Sequence, residues 1–123
     1  MNIKTICALG GTGFVGRHLV ARLANRGYSV KVMTRHPQRH REIEILPNAQ
    51  LIKADIQDAA QLQQQFVGCD AVINLVGILH EFSTQTFRAV HAELPGKVAD
   101  ACRASGVKRL LHMSALGADP KGP

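Results

Sequence analysis

Leu9-Gly10-Gly11-Thr12-Gly13-Phe14-Val15-Gly16 is the stretch that decides the fold of this 123-residue chain. The apolar run Lys4 to Leu9 in front of it reads as a strand. Behind it, Val15 to Arg26 sets Val15, Leu19, Val20 and Leu23 on one helical face, and Gly27 stops the helix. Gly11, Gly13 and Gly16 satisfy G-x-G-x-x-G, while Gly10, Gly13 and Gly16 satisfy G-x-x-G-x-x-G. A strand, a glycine turn and a helix in that order can cradle a pyrophosphate. The tight turn needs a residue free to take positive φ. Gly13 lets an anion reach the backbone without meeting a Cβ, and Gly16 lets the helix lie close to the sheet. The helix start offers unpaired N–H groups and partial positive charge. The competing reading is a β–α turn that is merely tight. No Gly-Lys-Ser/Thr follows, which excludes a triphosphate-binding loop of that type.

Outward from the turn, strands and helices alternate. Ser29 to Thr34 is β-branched and alternating, and His36-Pro37 ends it. Gln38 to Leu46 reads as a short helix, Gln50 to Ala54 as a third strand, and Asp58 as the cap of a helix reaching about Phe66. Ala71 to Val76 is a continuous apolar strand. A helical zone, Thr84 to Ser105, is disturbed by Pro95 and stopped by Gly106, and Arg109 to Met113 is a fifth strand. Such alternation implies parallel strands joined by right-handed crossovers, covered on both faces. The expectation is one α/β domain over residues 1–123, an open doubly wound sheet in the order 3-2-1-4-5. Its ligand crevice lies beyond the carboxyl ends, at the switch between strands one and four. A dinucleotide fold of this kind commonly has a sixth strand, so the chain reads as the N-terminal part of a longer protein.

The end of strand two bears on the choice of coenzyme. An NAD site calls for an acid about 20 residues past the turn. Here that place holds Thr34-Arg35-His36, Arg39 and Arg41 follow, and Glu42 is the first carboxylate of the chain. A guanidinium forks onto a 2′-phosphate, and the Thr34 hydroxyl adds a donor. The expectation is NADP(H) over NAD(H); a solvated basic loop is the alternative. Arg17, directly after Gly16, is read as facing either phosphate or water.

The net charge of +6 is uneven, since all eight basic residues among the first 41 stand without an acid. This points to an anionic partner. Nucleic acid is disfavoured because the four Phe and one Tyr are not interleaved with the basic residues. Ala71 to Leu79, the longest apolar stretch, is broken by Asn74 and Gly77 and falls short of the ~18 residues of a membrane span. No N-terminal signal segment is read, because glycines break the first apolar run. Cys7, Cys69 and Cys102 lack a CxxC spacing and read as buried thiols in a reducing, cytoplasmic setting. His36 and His40 lack a third ligand, so no metal site is expected.

With these residues in view, the whole chain resembles the N-terminal part of an extended or atypical short-chain dehydrogenase/reductase, of the epimerase/dehydratase-like kind with a Rossmann fold. Lys53-Ala54-Asp55-Ile56 resembles the family's segment after strand three. The resemblance implies that Asp55 bonds the adenine amino group and Ile56 lines its ring; a loop cap is the plainer role for Asp55. Asn74-Leu75-Val76-Gly77 resembles the segment that runs along the cofactor, which brings Leu75, Val76 and Gly77 into the site. Together with Val90-His91 and Ser114-Ala115-Leu116-Gly117-Ala118-Asp119, it is closest to the subgroup containing the nucleotide-binding accessory subunit of respiratory complex I and its bacterial relatives.

The departures concern catalysis. Active members use Tyr-x-x-x-Lys, but Tyr28 is the single tyrosine and Val32 stands four residues on. Ser114 is the one catalytic candidate. It matches the first serine of the family's hydroxyl pair and is followed by Ala115 where the second hydroxyl belongs; a strand-end cap is its other role. His91 stands where many members place Asn. Two classes of function follow: an NADP-linked oxidoreductase or epimerase acting on a small molecule, its nicotinamide near Gly77 and Ser114, or a non-catalytic dinucleotide-binding module in a protein complex.

Overall fold

The computed structural model describes residues 3–10, 14–76 and 93–112. Five strands, β1 (Thr5–Leu9), β2 (Ser29–Thr34), β3 (Ala49–Lys53), β4 (Ala71–Asn74) and β5 (Arg109–His112), form one sheet in the order β3-β2-β1-β4-β5. Every neighbouring pair is parallel. Among the described residues three α-helices accompany them, α1 (Phe14–Asn25), α2 (Ala59–Phe66) and α3 (Leu94–Ser105). The order is the expected one, and it follows from the crossovers. Connections that run from β1 through β2 to β3 build outward one way; the return to β4 builds the other way and puts its helices on the opposite face.

Side chains two apart along a strand share a face. Cys7, Leu9, Met33 and Val72 therefore meet Leu62 and Phe66 of α2 and Leu94, Val98, Ala101 and Cys102 of α3 in one buried cluster. On the other face Ala8, Val30 and Val32 meet Val20 of α1 and Ile43, beside Ile6, Ala71, Ile73 and Leu75. The described residues cover that second face incompletely. A groove of about 460 Å³ lies along β4 and β5, walled by Ile6, Leu23, Tyr28, Ala71, Ile73 and Leu111, among others.

Local chemistry sets most boundaries. Asp58 caps α2 as expected, accepting from the N–H groups of Ala60 and Gln61. Pro95 lies in the first turn of α3, where its missing N–H costs nothing, and Gly106 ends the helix at φ +82°. The expected helix over Gln38 to Leu46 is instead two short 3-10 turns, Pro37–Arg39 and Arg41–Ile43. Of their six residues Ile43 alone is buried, too little apolar surface to hold a continuous helix on the sheet. The fourth strand ends at Asn74 rather than Val76, because the Asn74 side chain accepts from the Val76 N–H and turns the chain. The part of the expected helical zone between 84 and 92 lies outside the described residues.

Candidate functional site

The carboxyl ends of β1, β2, β3 and β4 converge where the chain passes from β1 into α1. Gly10 closes β1 with φ +77°. A Cβ built on it would lie 2.9 Å from the Val76 backbone nitrogen and 3.0 Å from the Val76 Cα. Positive φ and the missing side chain are therefore both required there. The bend after β1 and the end of β4 touch through this glycine. Phe14, Val15 and the buried Gly16 then open α1, so the helix starts directly behind the bend. Gly11, Thr12 and Gly13, expected to hold the pyrophosphate, lie outside the described residues, as do Gly77, His91 and Ser114.

The β4 side of the crevice is braced. Leu75 is buried, and its N–H donates to the Leu9 carbonyl at 2.8 Å, which continues the sheet one step past β4. Asn74 is the single buried polar side chain among the described residues. Its Oδ1 accepts from the Val76 N–H at 3.0 Å, so its Nδ2 faces β5 and meets His112 Nδ1 at 3.0 Å. An amide nitrogen only donates, which leaves Nδ1 as acceptor and the ring proton on Nε2. This clamp was not foreseen as part of the site. The available signal was an asparagine inside an otherwise apolar strand.

The β2 and β3 ends carry the charge. Arg35 Nη2 donates to Asp55 Oδ1 at 3.0 Å. The two residues lie 20 apart in sequence and meet because Thr34 and Lys53 are register partners at the strand ends. Asp55 Oδ1 also accepts from the Gln57 N–H at 2.9 Å. That backbone bond first, and the Arg35 side chain after it, hold the carboxyl below the usual aspartate range, against the opposing effect of burial. Asp55 is thus a loop cap and an ion-pair partner at once. Thr34 Oγ1 accepts from the His36 N–H at 3.2 Å, which leaves its own O–H to donate. Ile56 is half-buried against the α2–α3 cluster beneath them. The half-exposed Arg17 guanidinium pairs with Glu42 at 3.1 Å. Tyr28 packs against both clusters on the α1 face, away from this crevice.

Chemically, the described edge offers a bend packed closely against the end of β4, a guanidinium beside a hydroxyl, and a carboxylate over an apolar floor. No helix among the described residues is long and apolar enough to cross a membrane.

Comparison with known proteins agrees with this geometry. Residues 10–123 match the sequence profile of the NAD(P)H-binding family. The chain is 29% identical over 119 residues to the mitochondrial NADH-ubiquinone oxidoreductase 40 kDa subunit of Neurospora crassa, covering 94% of this chain and 32% of that one. It is 31% identical over 125 residues to an anthocyanidin reductase of Vitis vinifera, covering 94% of this chain and 37% of the relative. A solved structure from Bacteroides thetaiotaomicron, described as a candidate epimerase, superposes with a TM-score of 0.76 at 26% identity, over 95% of this chain and 50% of that one. The chain thus spans about a third of the length of the curated relatives.

Proposed function

Because this chain belongs to the NAD(P)H-binding family, we propose that its carboxyl edge binds NADP(H) in preference to NAD(H), and that it forms the coenzyme domain, residues 1–123, of a longer reductase or epimerase-type protein. The observation that carries the reading is the pair of Arg35 and Asp55 beside the Thr34 hydroxyl. An NAD site places a carboxylate at the end of the second strand to accept from the ribose hydroxyls. This edge presents a guanidinium there, half-exposed and held in place by Asp55. Its pair with Asp55 uses one N–H, and the remaining donors suit the oxygens of a 2′-phosphate.

The residues suit the coenzyme at the other end as well. At Gly10 the backbone packs directly against Val76, which fixes the bend after β1 relative to the end of β4. Gly11, Thr12, Gly13 and the first turn of α1, Phe14, Val15 and Gly16, are proposed to hold the pyrophosphate. Asp55 and Ile56 are proposed to take the adenine, and Leu75, Val76 and Gly77 to run along the coenzyme toward Ser114. A bound nicotinamide coenzyme supplies hydride transfer. The chain's own part is to orient it and, through the Asn74 clamp, to keep the β4 wall in place.

In titrations of the intact protein, NADPH is expected to bind more tightly than NADH. Arg35→Ala should weaken NADPH by about 1.5–3 kcal/mol, the worth of a hydrogen bond to a charged group, and change NADH little. Equal affinities for the two coenzymes in the unaltered protein overturn the preference. A second reading, a non-catalytic dinucleotide-binding module within a protein complex, has its own support. Tyr28, the single tyrosine, is packed on the α1 face, and no Tyr-x-x-x-Lys occurs in these 123 residues. Coenzyme turnover by the intact protein with carbonyl or sugar-nucleotide substrates separates the two.

A further inference from the structure

The Arg35 guanidinium stands at one end of a chain of hydrogen bonds whose other end is on α3. Lys97, half-buried near the start of that helix, crosses to the loop after β3. Its Nζ donates to the Gln57 carbonyl at 3.1 Å and to Gln57 Oε1 at 3.3 Å. Gln57 in turn donates its N–H to Asp55 Oδ1 at 2.9 Å, and Arg35 Nη2 donates to the same oxygen at 3.0 Å. The α2 side holds the backbone of this loop: Gln61 Oε1 accepts from the Asp55 N–H at 2.9 Å, and the Asp58 N–H donates to the Asp55 carbonyl at 3.1 Å.

We propose that Lys97 is a positioning residue that determines coenzyme specificity: by holding Gln57 it fixes the Asp55 carboxylate, and through Asp55 it sets the Arg35 guanidinium toward a 2′-phosphate. This inference rests on the reading of the edge as an NADP(H) site and adds the residue, 62 positions along the chain from Arg35, that keeps the arginine in place.

Arg35 needs such support. Its side chain is 59% exposed, and ordering a long, free side chain opposes binding. Asp55, its partner, stands on a loop rather than on a strand or helix, so the carboxylate is only as fixed as the bonds that reach it. Gln61 holds the Asp55 backbone and not its carboxylate. The Gln57 N–H does reach the carboxylate, and Lys97 holds both the carbonyl and the side-chain oxygen of Gln57. Lys97 acts from a rigid element, because Leu94, Val98, Ala101 and Cys102 bury α3 against the sheet. Bonds linked in this way polarise and order one another. The charges agree with the geometry: the Gln57 N–H, then Arg35, and least the Lys97 ammonium favour the ionised Asp55.

The test is a double-mutant cycle on the intact protein, read as affinity for NADPH and for NADH. Lys97→Met keeps the apolar stem and removes the donors. It should weaken NADPH roughly fivefold and NADH less than about twofold, so that the preference narrows, and Lys97→Arg, which keeps donors, should restore most of it. In the Arg35→Ala background Lys97→Met should weaken NADPH no more than NADH, because the loss passes through Arg35. A lysine that merely staples α3 to the loop would weaken both coenzymes alike in either background, and that result overturns the proposal. Equal affinities in the unaltered protein overturn the reading of the edge and this proposal with it; an NADPH preference that survives Lys97→Met undiminished overturns this proposal alone. Hydrogen exchange in the unaltered, coenzyme-free protein checks the middle link: the Gln57 amide should exchange at least roughly tenfold more slowly than an unbonded loop amide. Exchange at the rate of a free amide overturns the proposal even if Lys97→Met fails to fold.

Discussion

The two edges of the same sheet spend their polar groups differently. At the carboxyl edge Arg35 and Asp55 stay half-exposed, and Thr34 keeps an O–H in reserve. At the amino edge Asp70 turns its carboxylate onto the chain itself, with Oδ2 accepting from the Lys4 and Thr5 N–H groups at 2.9 Å each. A parallel sheet leaves unpaired N–H groups where its strands begin and unpaired carbonyls where they end. Here the beginning of β1 is closed by a side chain of the same molecule. The end of β1 is carried into a bend that a side chain would obstruct. One edge is arranged to be complete alone, the other to receive a guest, and substitutions at the two should fail in different ways.

The largest effect is expected from Gly10→Ala. The left-handed backbone costs about 1–2 kcal/mol, and the Cβ meets Val76 backbone that cannot swing aside without drawing β4 from β1. Overpacking of that kind adds about 1–3 kcal/mol. Coenzyme binding should fall along with the unfolding free energy, which paired urea denaturation and NADPH titration would check. An alanine variant that binds as before would break the distinction between the edges.

Asn74→Ala comes next. It leaves the half-buried Val76 N–H without its acceptor and the exposed His112 Nδ1 without its donor, a loss of about 0.5–1.5 kcal/mol for each hydrogen bond where water can take the partner's place. Because Val76 is the residue against which Gly10 closes, affinity for NADPH should decline too. Full affinity in a destabilised variant would show that the clamp serves folding alone.

These two residues also mark how far the sequence could be read. Gly10 was legible because strand, glycines and helix follow one another locally, and local order is what periodicity records. The bounds Ser29–Thr34 and the cap at Asp58 were legible for the same reason. Asn74 was visible as an interruption of an apolar run, but its partners come from β5 and the next turn. The pairings of Arg35 with Asp55 and Arg17 with Glu42 depend on strand register and loop path, which no window of sequence contains. The meeting of Cys7, Cys69 and Cys102 likewise needs the crossover that returns the chain to β4. Over residues 37–43, proline and charge outvoted a weak helical pattern.

Asp70→Asn should give the smallest effect and the cleanest contrast. The Thr5 and Lys4 backbone bonds hold the Asp70 carboxyl below its ordinary range. A depressed native value means that the stabilisation is fully present above the unfolded value of about 3.9 and is lost as pH falls through the lower native one. The amide does not titrate, so the variant should lose part of the acid dependence of stability while remaining folded at neutral pH. It removes only part, because Asp58, held down by the Gln61 side chain and then by the Ala60 and Gln61 N–H groups, and Asp55, held down by the Gln57 N–H, titrate in the same direction. Unfolding midpoints measured from neutral pH down to about pH 3 would give the change in slope. NADPH affinity at neutral pH should stay unchanged, since Asp70 closes the edge that faces away from the bend. A binding defect in this variant would mean that the amino edge is coupled to the guest after all, through β1, the strand that both edges share.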